Sequence, residues 1–304
     1  MEKLSVLVTG YKRPGNLNNL LNQISLHSNV DLYIAIDGPK TQSNDLPLVN
    51  YCREIARNAK KNFNAKVLIH EKNLGCRAGM TDSINWFFQK IEKGVILEDD
   101  LKLHSDFFDF MERSLNHFEK DDSVGSVTGY NATPLSQITN QEKLGYFTNF
   151  SSSWGWGTWR DRWEKNLTDL TNWEELITKK KLKSLGGKNG MKRWVNTFNR
   201  VQKEELDSWA YPWLLTQWIN DYSTFTSSKN LIENLGFNDK ATHTKIGQSA
   251  PLYQGKIDFE TKLPELKHNI DYIAEEWILK NRFFVHSDIE KIKFKISNLR
   301  TIGS

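Results

Sequence analysis

Over its first 130 residues the chain alternates short apolar runs with stretches of helical period, and few folds accommodate that alternation. Leu4 to Thr9 reads as a strand. Gly15 to Leu26 follows as a helix with Leu17, Leu20, Leu21 and Ile24 on one face. Leu32 to Ile36 is a second strand, ending at the turn Asp37-Gly38-Pro39. Leu46 to Lys61 and Ala78 to Ile91 read as helices around a strand from Ala65 to His70. Gly94 to Leu97 is a fourth strand, Phe107 to Phe118 a helix, and Val124 to Thr128 a fifth strand. Strand and helix in alternation imply a mainly parallel α/β sheet with helices on both faces, whose ligands bind beyond the carboxyl ends of the strands. Asp37 and the triplet Glu98-Asp99-Asp100 both fall at such ends.

The pattern changes after residue 130. Residues 131 to 149 read as a polar loop, and Trp154 to Trp163 is aromatic and glycine-rich. Asn172 to Lys203 reads as helical with a break at Gly186-Gly187, and Trp209 to Ile219 as a further helix. From Ile270 onward the chain reads as helical, aromatic and basic. No internal repeat or low-complexity linker interrupts it. One catalytic domain with a C-terminal extension is expected, divided at 1–130, 131–260 and 261–304.

Three adjacent carboxylates at the end of a buried strand repel one another unless a cation sits among them. A hard divalent ion, Mg²⁺ or Mn²⁺, suits such oxygen ligands when phosphate oxygens complete its shell. A solvated acidic loop is the plain alternative. The 11 tryptophans suit sugar recognition, because indole rings cover the C–H faces of sugars, although buried tryptophan is also ordinary core.

Several segments together resemble the GT-A glycosyltransferases, in particular N-acetylglucosaminyltransferase I and bacterial sugar transferases related to it. Leu97 to Met111 (LEDDLKLHSDFFDFM) is similar to that family's strand, acidic motif and following helix. The resemblance makes Asp100 the metal ligand, places Asp99 near the donor ribose or sugar, and sets Glu98 near the sugar hydroxyls. Val6 to Pro14 resembles the opening strand, with Arg13 facing the nucleotide. Asp37 matches the acid that recognises uracil, and it could equally cap its own turn. Asn73 to Gly79 resembles a loop that feeds a helix N-terminus, with Arg77 toward the nucleotide or diphosphate. Ser151 to Trp159 resembles the family's glycine-tryptophan segment, with Trp156 as a wall of the sugar site; Trp159 and Trp163 read instead as the start of a buried helix.

Leu206-Asp207-Ser208-Trp209 resembles the Asp-x-Trp stretch whose first acid is the general base, which gives that role to Asp207. Glu204 and Glu205 are the runners-up, and a cap for the helix near Ser208 is the structural reading. Asn234 to Thr244 resembles the stretch bearing a late histidine, here His243, which would meet the diphosphate or complete the metal shell.

The resemblance implies a GT-A fold with a helical C-terminal extension. It also implies inverting transfer from a nucleotide-sugar, a UDP-sugar by the Asp37 match, to a glycan or lipid-linked acceptor in bacterial surface polysaccharide or lipopolysaccharide synthesis. A metal-dependent sugar nucleotidyltransferase and a silent glycan-binding protein are the competing readings.

The net charge of +4 is concentrated at Lys179 to Lys183 and at Lys291 to Arg300, without the motif of a nucleic-acid module. A solvated face or contact with anionic lipid headgroups accounts for such clusters. Met1 to Ser5 lacks a signal-peptide layout. With Cys52 and Cys76 as packed thiols, a cytoplasmic protein is expected, peripheral to the inner face of the plasma membrane if the basic tail binds lipid.

Overall fold

The computed structural model describes residues 3–41, 44–139, 143–236, 250–264 and 269–286. Strand β1 (Leu4–Gly10) is buried along nearly its whole length because it lies between two parallel partners. Helix α1 (Pro14–Ser25) opens with proline, whose missing N–H costs nothing in the first turn. It buries the four residues its period put on one face, Leu17, Leu20, Leu21 and Ile24. Strand β2 (Val30–Ile36) leads to α2 (Leu46–Phe63), which ends where Asn64 turns left-handed at φ 55°. Strand β3 (Lys66–Ile69), helix α3 (Gly75–Phe88) and strand β4 (Lys93–Glu98) follow. A short strand β5 (Leu101–Leu103) precedes α4 (Phe107–His117) and β6 (Val124–Thr128).

The second half supplies β7 (Gly145–Thr148), β8 (Trp156–Trp159) and helices α5 (Arg160–Trp163), α6 (Trp173–Leu176) and α7 (Lys179–Ser184). Helix α8 (Gly187–Gln202) then leads to α9 (Ala210–Ile219), β9 (Ser223–Ser227), β10 (Ile232–Asn234) and α10 (Tyr272–Asn281). Eight strands form one sheet in the order β3-β2-β1-β4-β8-β6-β9-β7, and β5 pairs with β10 apart from it. The sheet is therefore built from both sides of residue 130, and the α/β class matches the sequence reading.

Three details correct that reading. The sheet is parallel from β3 to β4, but β8 enters antiparallel between β4 and β6, and β7 closes the edge antiparallel to β9. The stretch expected as a loop holds β7. Trp159, expected in a helix, ends a strand, and the helix at Trp163 is a single turn. Both strands lack long aliphatic runs, so their pairing depends on the neighbours rather than on local pattern. Because β4, β6 and β9 run in the same sense, Gly10, Ile36, Glu98, Thr128 and Ser227 all end on one edge of the sheet.

Alternation along each strand divides the core. Val6, Val8 and Leu97 face helices α1, α2 and α4. Leu7 and Ile96 face α3 and α9, where they meet Met80, Ile84, Phe87, Trp156, Trp163, Trp209 and Trp213. Trp156 is 1% exposed, and its ring stacks on Trp209 with centroids 5.4 Å apart. A separate aromatic cluster of Phe150, Trp173, Trp194, Phe198, Trp218 and Phe283 joins α6 to α10. Among the described residues, no helix is long and apolar enough to cross a membrane. Burial of this kind predicts that Trp156→Ala lowers unfolding free energy by roughly 3–5 kcal/mol in denaturant titrations, whereas a ring exposed to ligand would cost far less.

Candidate active site

The acids at the end of β4 define the site. The strand is buried from Gly94 to Leu97, and the chain then turns so that Asp99 and Asp100 are only 5% and 6% exposed. Arg13, at the end of the β1–α1 turn, reaches across to them: its Nη1 lies 3.1 Å from Asp99 Oδ1 and 2.7 Å from Asp100 Oδ2. The Tyr11 backbone N–H donates to Asp99 Oδ2 at 3.4 Å. One guanidinium does not neutralise three acids. Burial, then the charges of Asp100 and Asp99, push Glu98 up to about 8. Burial and Asp100 push Asp99 up to about 6. Burial also raises Asp100, against the pull of Arg13.

The pairing of β5 with β10 brings a second segment onto these acids. Leu235 N–H donates to the Asp100 carbonyl at 2.8 Å, and Gly236 N–H donates to Asn234 Oδ1 at 2.7 Å. A Cβ on Gly236 would lie 2.4 Å from Asp100 Oδ2, so only glycine fits there. Asp100 Oδ1 is buried and, among the described residues, accepts no hydrogen bond. A buried, unsatisfied carboxylate oxygen among three acids is the environment that a hard cation stabilises. Among the described residues, no group of three or more histidine, cysteine or acidic side chains is arranged to enclose a metal ion. The fit is therefore to an ion held by one or two carboxylates, with phosphate and water oxygens completing its shell, as Mg²⁺ commonly is. His243 lies outside the described residues.

Asp37, at the end of β2, is held on both oxygens. Oδ1 accepts from Gly38 N–H (2.8 Å) and Leu74 N–H (3.0 Å), and Oδ2 accepts from Asn73 Nδ2 (2.7 Å). It thus caps its own turn and also ties down the loop before α3. The sequence offered no sign of His70 in this region, yet its Nδ1 lies 3.8 Å from Asp37 and its Nε2 2.8 Å from Asp82.

Asp207 caps a different helix from the one expected. Its Oδ2 accepts from Cys76 N–H and its Oδ1 from Arg77 N–H, both at 2.8 Å, so it closes the N-terminus of α3 across 130 residues of chain. Gly75 permits this contact: its φ is +81°, and a Cβ there would stand 3.0 Å from Asp207 Oδ2. Asp207 is nonetheless exposed. Burial, then the charges of Glu98, Asp207 and Asp37, push the Cys76 thiol up to about 12, so these three acids surround one short loop. Glu204 and Glu205 are exposed beyond the end of α8, and Glu205 lies 3.9 Å from Arg200.

Two expectations are corrected. The Arg77 guanidinium donates to the carbonyls of Val201 and Thr168, fastening α8 to α3 instead of pointing at the turn of acids. Trp156 belongs to the tryptophan core beneath β8 and is 1% exposed. In both cases a residue at the right place in the sequence is claimed by packing partners more than 50 residues away.

The raised acids fix the sign of a pH effect. Their protonated forms are favoured in the fold, so the contribution of these acids to metal-free stability is fully present below the ordinary carboxylate range and is lost as pH rises through about 6 for Asp99 and about 8 for Glu98. Divalent ions require the deprotonated acids. Melting scans should therefore show Tm declining from pH 5 to pH 8.5 without metal. The Tm gain from added Mn²⁺ or Mg²⁺ should be larger at pH 8 than at pH 6; a gain independent of pH would count against these acids as the ion's site.

Residues 83–180 match the model of the GNT-I family. A stretch of 80 residues is 25% identical to the Arabidopsis thaliana alpha-1,3-mannosyl-glycoprotein 2-beta-N-acetylglucosaminyltransferase, covering 26% of this chain and only 18% of that protein. Among solved structures, the mannosyltransferase PcManGT from Pyrobaculum calidifontis, in complex with GDP-Man and Mn²⁺, aligns with TM-score 0.39 and 14% identity over 55% of this chain and 48% of its own. Mouse xyloside xylosyltransferase 1, in its apo form, aligns with TM-score 0.36 and 11% identity over 71% of this chain and 81% of its own. The segment that carries Glu98, Asp99, Asp100 and strand β8 is thus similar to the GNT-I family.

Proposed function

We propose that the chain is a metal-dependent, inverting glycosyltransferase that uses a nucleotide-sugar, with UDP as the nucleotide. The observation that carries this reading is the buried turn at Glu98-Asp99-Asp100, where Asp100 Oδ1 accepts no hydrogen bond among the described residues and the Gly236 backbone packs closely against the same carboxylate. Asp100 would hold Mn²⁺ or Mg²⁺ there. The ion, when bound, supplies positive charge for the diphosphate leaving group. Arg13 shares that electrostatic role and already neutralises part of the turn. Asp99 and Glu98 are assigned to the ribose and the donor sugar. Asp37, oriented by Gly38, Leu74 and Asn73, is assigned to the base.

Asp207 is assigned as the general base that takes the proton of the acceptor hydroxyl. Two backbone N–H groups at the α3 N-terminus fix its direction, while its exposure leaves it open to an acceptor. The acceptor is proposed to be a surface glycan or its lipid-linked precursor, met at the cytoplasmic face of the membrane. Tyr272, Ile273 and Phe284 support that placement: they are 74%, 51% and 56% exposed around α10, just before the basic stretch Lys291 to Arg300.

Calorimetric titration of UDP is expected to show binding only with Mn²⁺ or Mg²⁺ present, and Asp100→Ala to abolish it. Metal-independent binding, or an Asp100→Ala protein that still transfers sugar, would remove the ion from Asp100. Asp207→Asn keeps one oxygen for the α3 cap and should lower kcat by roughly 10²–10⁴-fold with UDP affinity little changed. Near-normal turnover would end the base assignment.

A further inference from the structure

Arg282 lies at the carboxyl edge of the sheet, and the proposed donor chemistry does not use it. Helix α10 is fastened beside β7: Asp271 N–H donates to the Phe147 carbonyl, and Glu275 Oε1 accepts from Thr148 Oγ1 and both nitrogens of Asn149. Arg282 follows the last turn of α10 and lines a cleft with Thr128, Tyr130, Tyr146, Ser152 and Trp277. Its own contacts are weak. Nη1 stands 3.4 Å from the Ser151 carbonyl and Nη2 3.4 Å from Ser152 Oγ, against about 2.9 Å for a good N–H···O bond. The guanidinium carbon lies 5.9 Å from the centre of the Tyr130 ring.

Among the described residues, no carboxylate pairs with Arg282. The two nearby acids are engaged elsewhere, Glu275 as above and Asp271 with Thr139 and the Ala274 N–H. Burial lowers Arg282, and its electrostatic neighbours are the hydroxyls of Tyr130, Tyr211 and Tyr146 rather than any acid. A partly buried guanidinium without an acid partner is costly, and its planar fork matches a carboxylate or phosphate on two donors.

The cleft lies on the same edge as the turn of acids. Trp156 pairs with Ile96 of β4 on one side and Thr128 of β6 on the other, so the end of β6, where the cleft begins, is two strand spacings, about 10 Å, from the end of β4. The cleft extends from there across β9 and β7, on the side of β4 opposite β1 and β2. Trp277, with its partly buried ring, and Tyr130 add the aromatic surface that sugar C–H faces pack against.

We propose that this cleft is an acceptor subsite for a sugar carrying one oxyanion, with Arg282 as its counter-ion. The word acceptor rests on the glycosyltransferase reading; anion binding by Arg282 does not. The oxyanion has two possible sources, a uronic-acid carboxylate or a phosphate ester.

The test uses the full chain without donor or metal, so its failure and that of the transferase reading are distinct. Ligand-observed NMR would follow glucuronate, glucose 6-phosphate and glucose. One or both anionic sugars should bind about tenfold or more tightly than glucose, and the tighter one identifies the source. Arg282→Gln should erase that preference while leaving Tm unchanged or raised, since a partly buried charge without an acid partner has been removed. No preference for an anionic sugar in the unaltered protein, preference retained in Arg282→Gln, or a marked fall in its Tm would each overturn the proposal. A chain that binds UDP with Mn²⁺ but no anionic sugar would lose only this subsite.

Discussion

Concentrated negative charge at the end of β4 is the constraint around which the rest is arranged. Strand β4 is held on both sides within the sheet, so Glu98, Asp99 and Asp100 are delivered together to a place with little water. Burial raises all three acids, repulsion adds to the rise of Glu98 and Asp99, and one arginine from the β1 turn offsets part of the cost. A protein gains little stability from such an arrangement. The crowding is understandable as preparation for a cation, whose arrival would turn an unfavourable cluster into a favourable one.

The residues around that turn each do two things. Asp37 ends β2 and pins the loop before α3. Asp207 comes from the far half of the chain and caps α3, which places an exposed carboxyl group beside that same loop. Gly75 and Gly236 mark where backbone presses against Asp207 and Asp100 too closely for any side chain. Structural and chemical readings of these residues do not compete, since a cap that fixes a carboxylate also aims it.

Much of the first half was legible in the sequence. The four parallel strands, the helices between them and the buried face of α1 follow from apolar period, because each element buries a stripe of its own. The insertion of β8 and the edge strand β7 was not. Trp156-Gly157-Thr158-Trp159 carries no strand signature, and it becomes a strand because β4 and β6 each have an open edge beside it. Arg77 and Trp156 were drawn into the site by their surroundings in sequence and out of it by partners far along the chain, Val201 and Thr168 for the first, Trp209 and Trp213 for the second.

The sequence by itself determined the α/β class, the acids at the strand ends and the glycine break between α7 and α8, because period, turn chemistry and like-charge repulsion act between near neighbours. Only the tertiary structure decided that Arg13 bridges Asp99 and Asp100, that Asp207 caps α3, and that Gly236 closes over Asp100. It alone decided that Arg282 returns to the sheet edge with no acid beside it among the described residues. These contacts join residues 86 to 136 positions apart or lie across separate elements, and no local pattern encodes which long-range partner a side chain will meet.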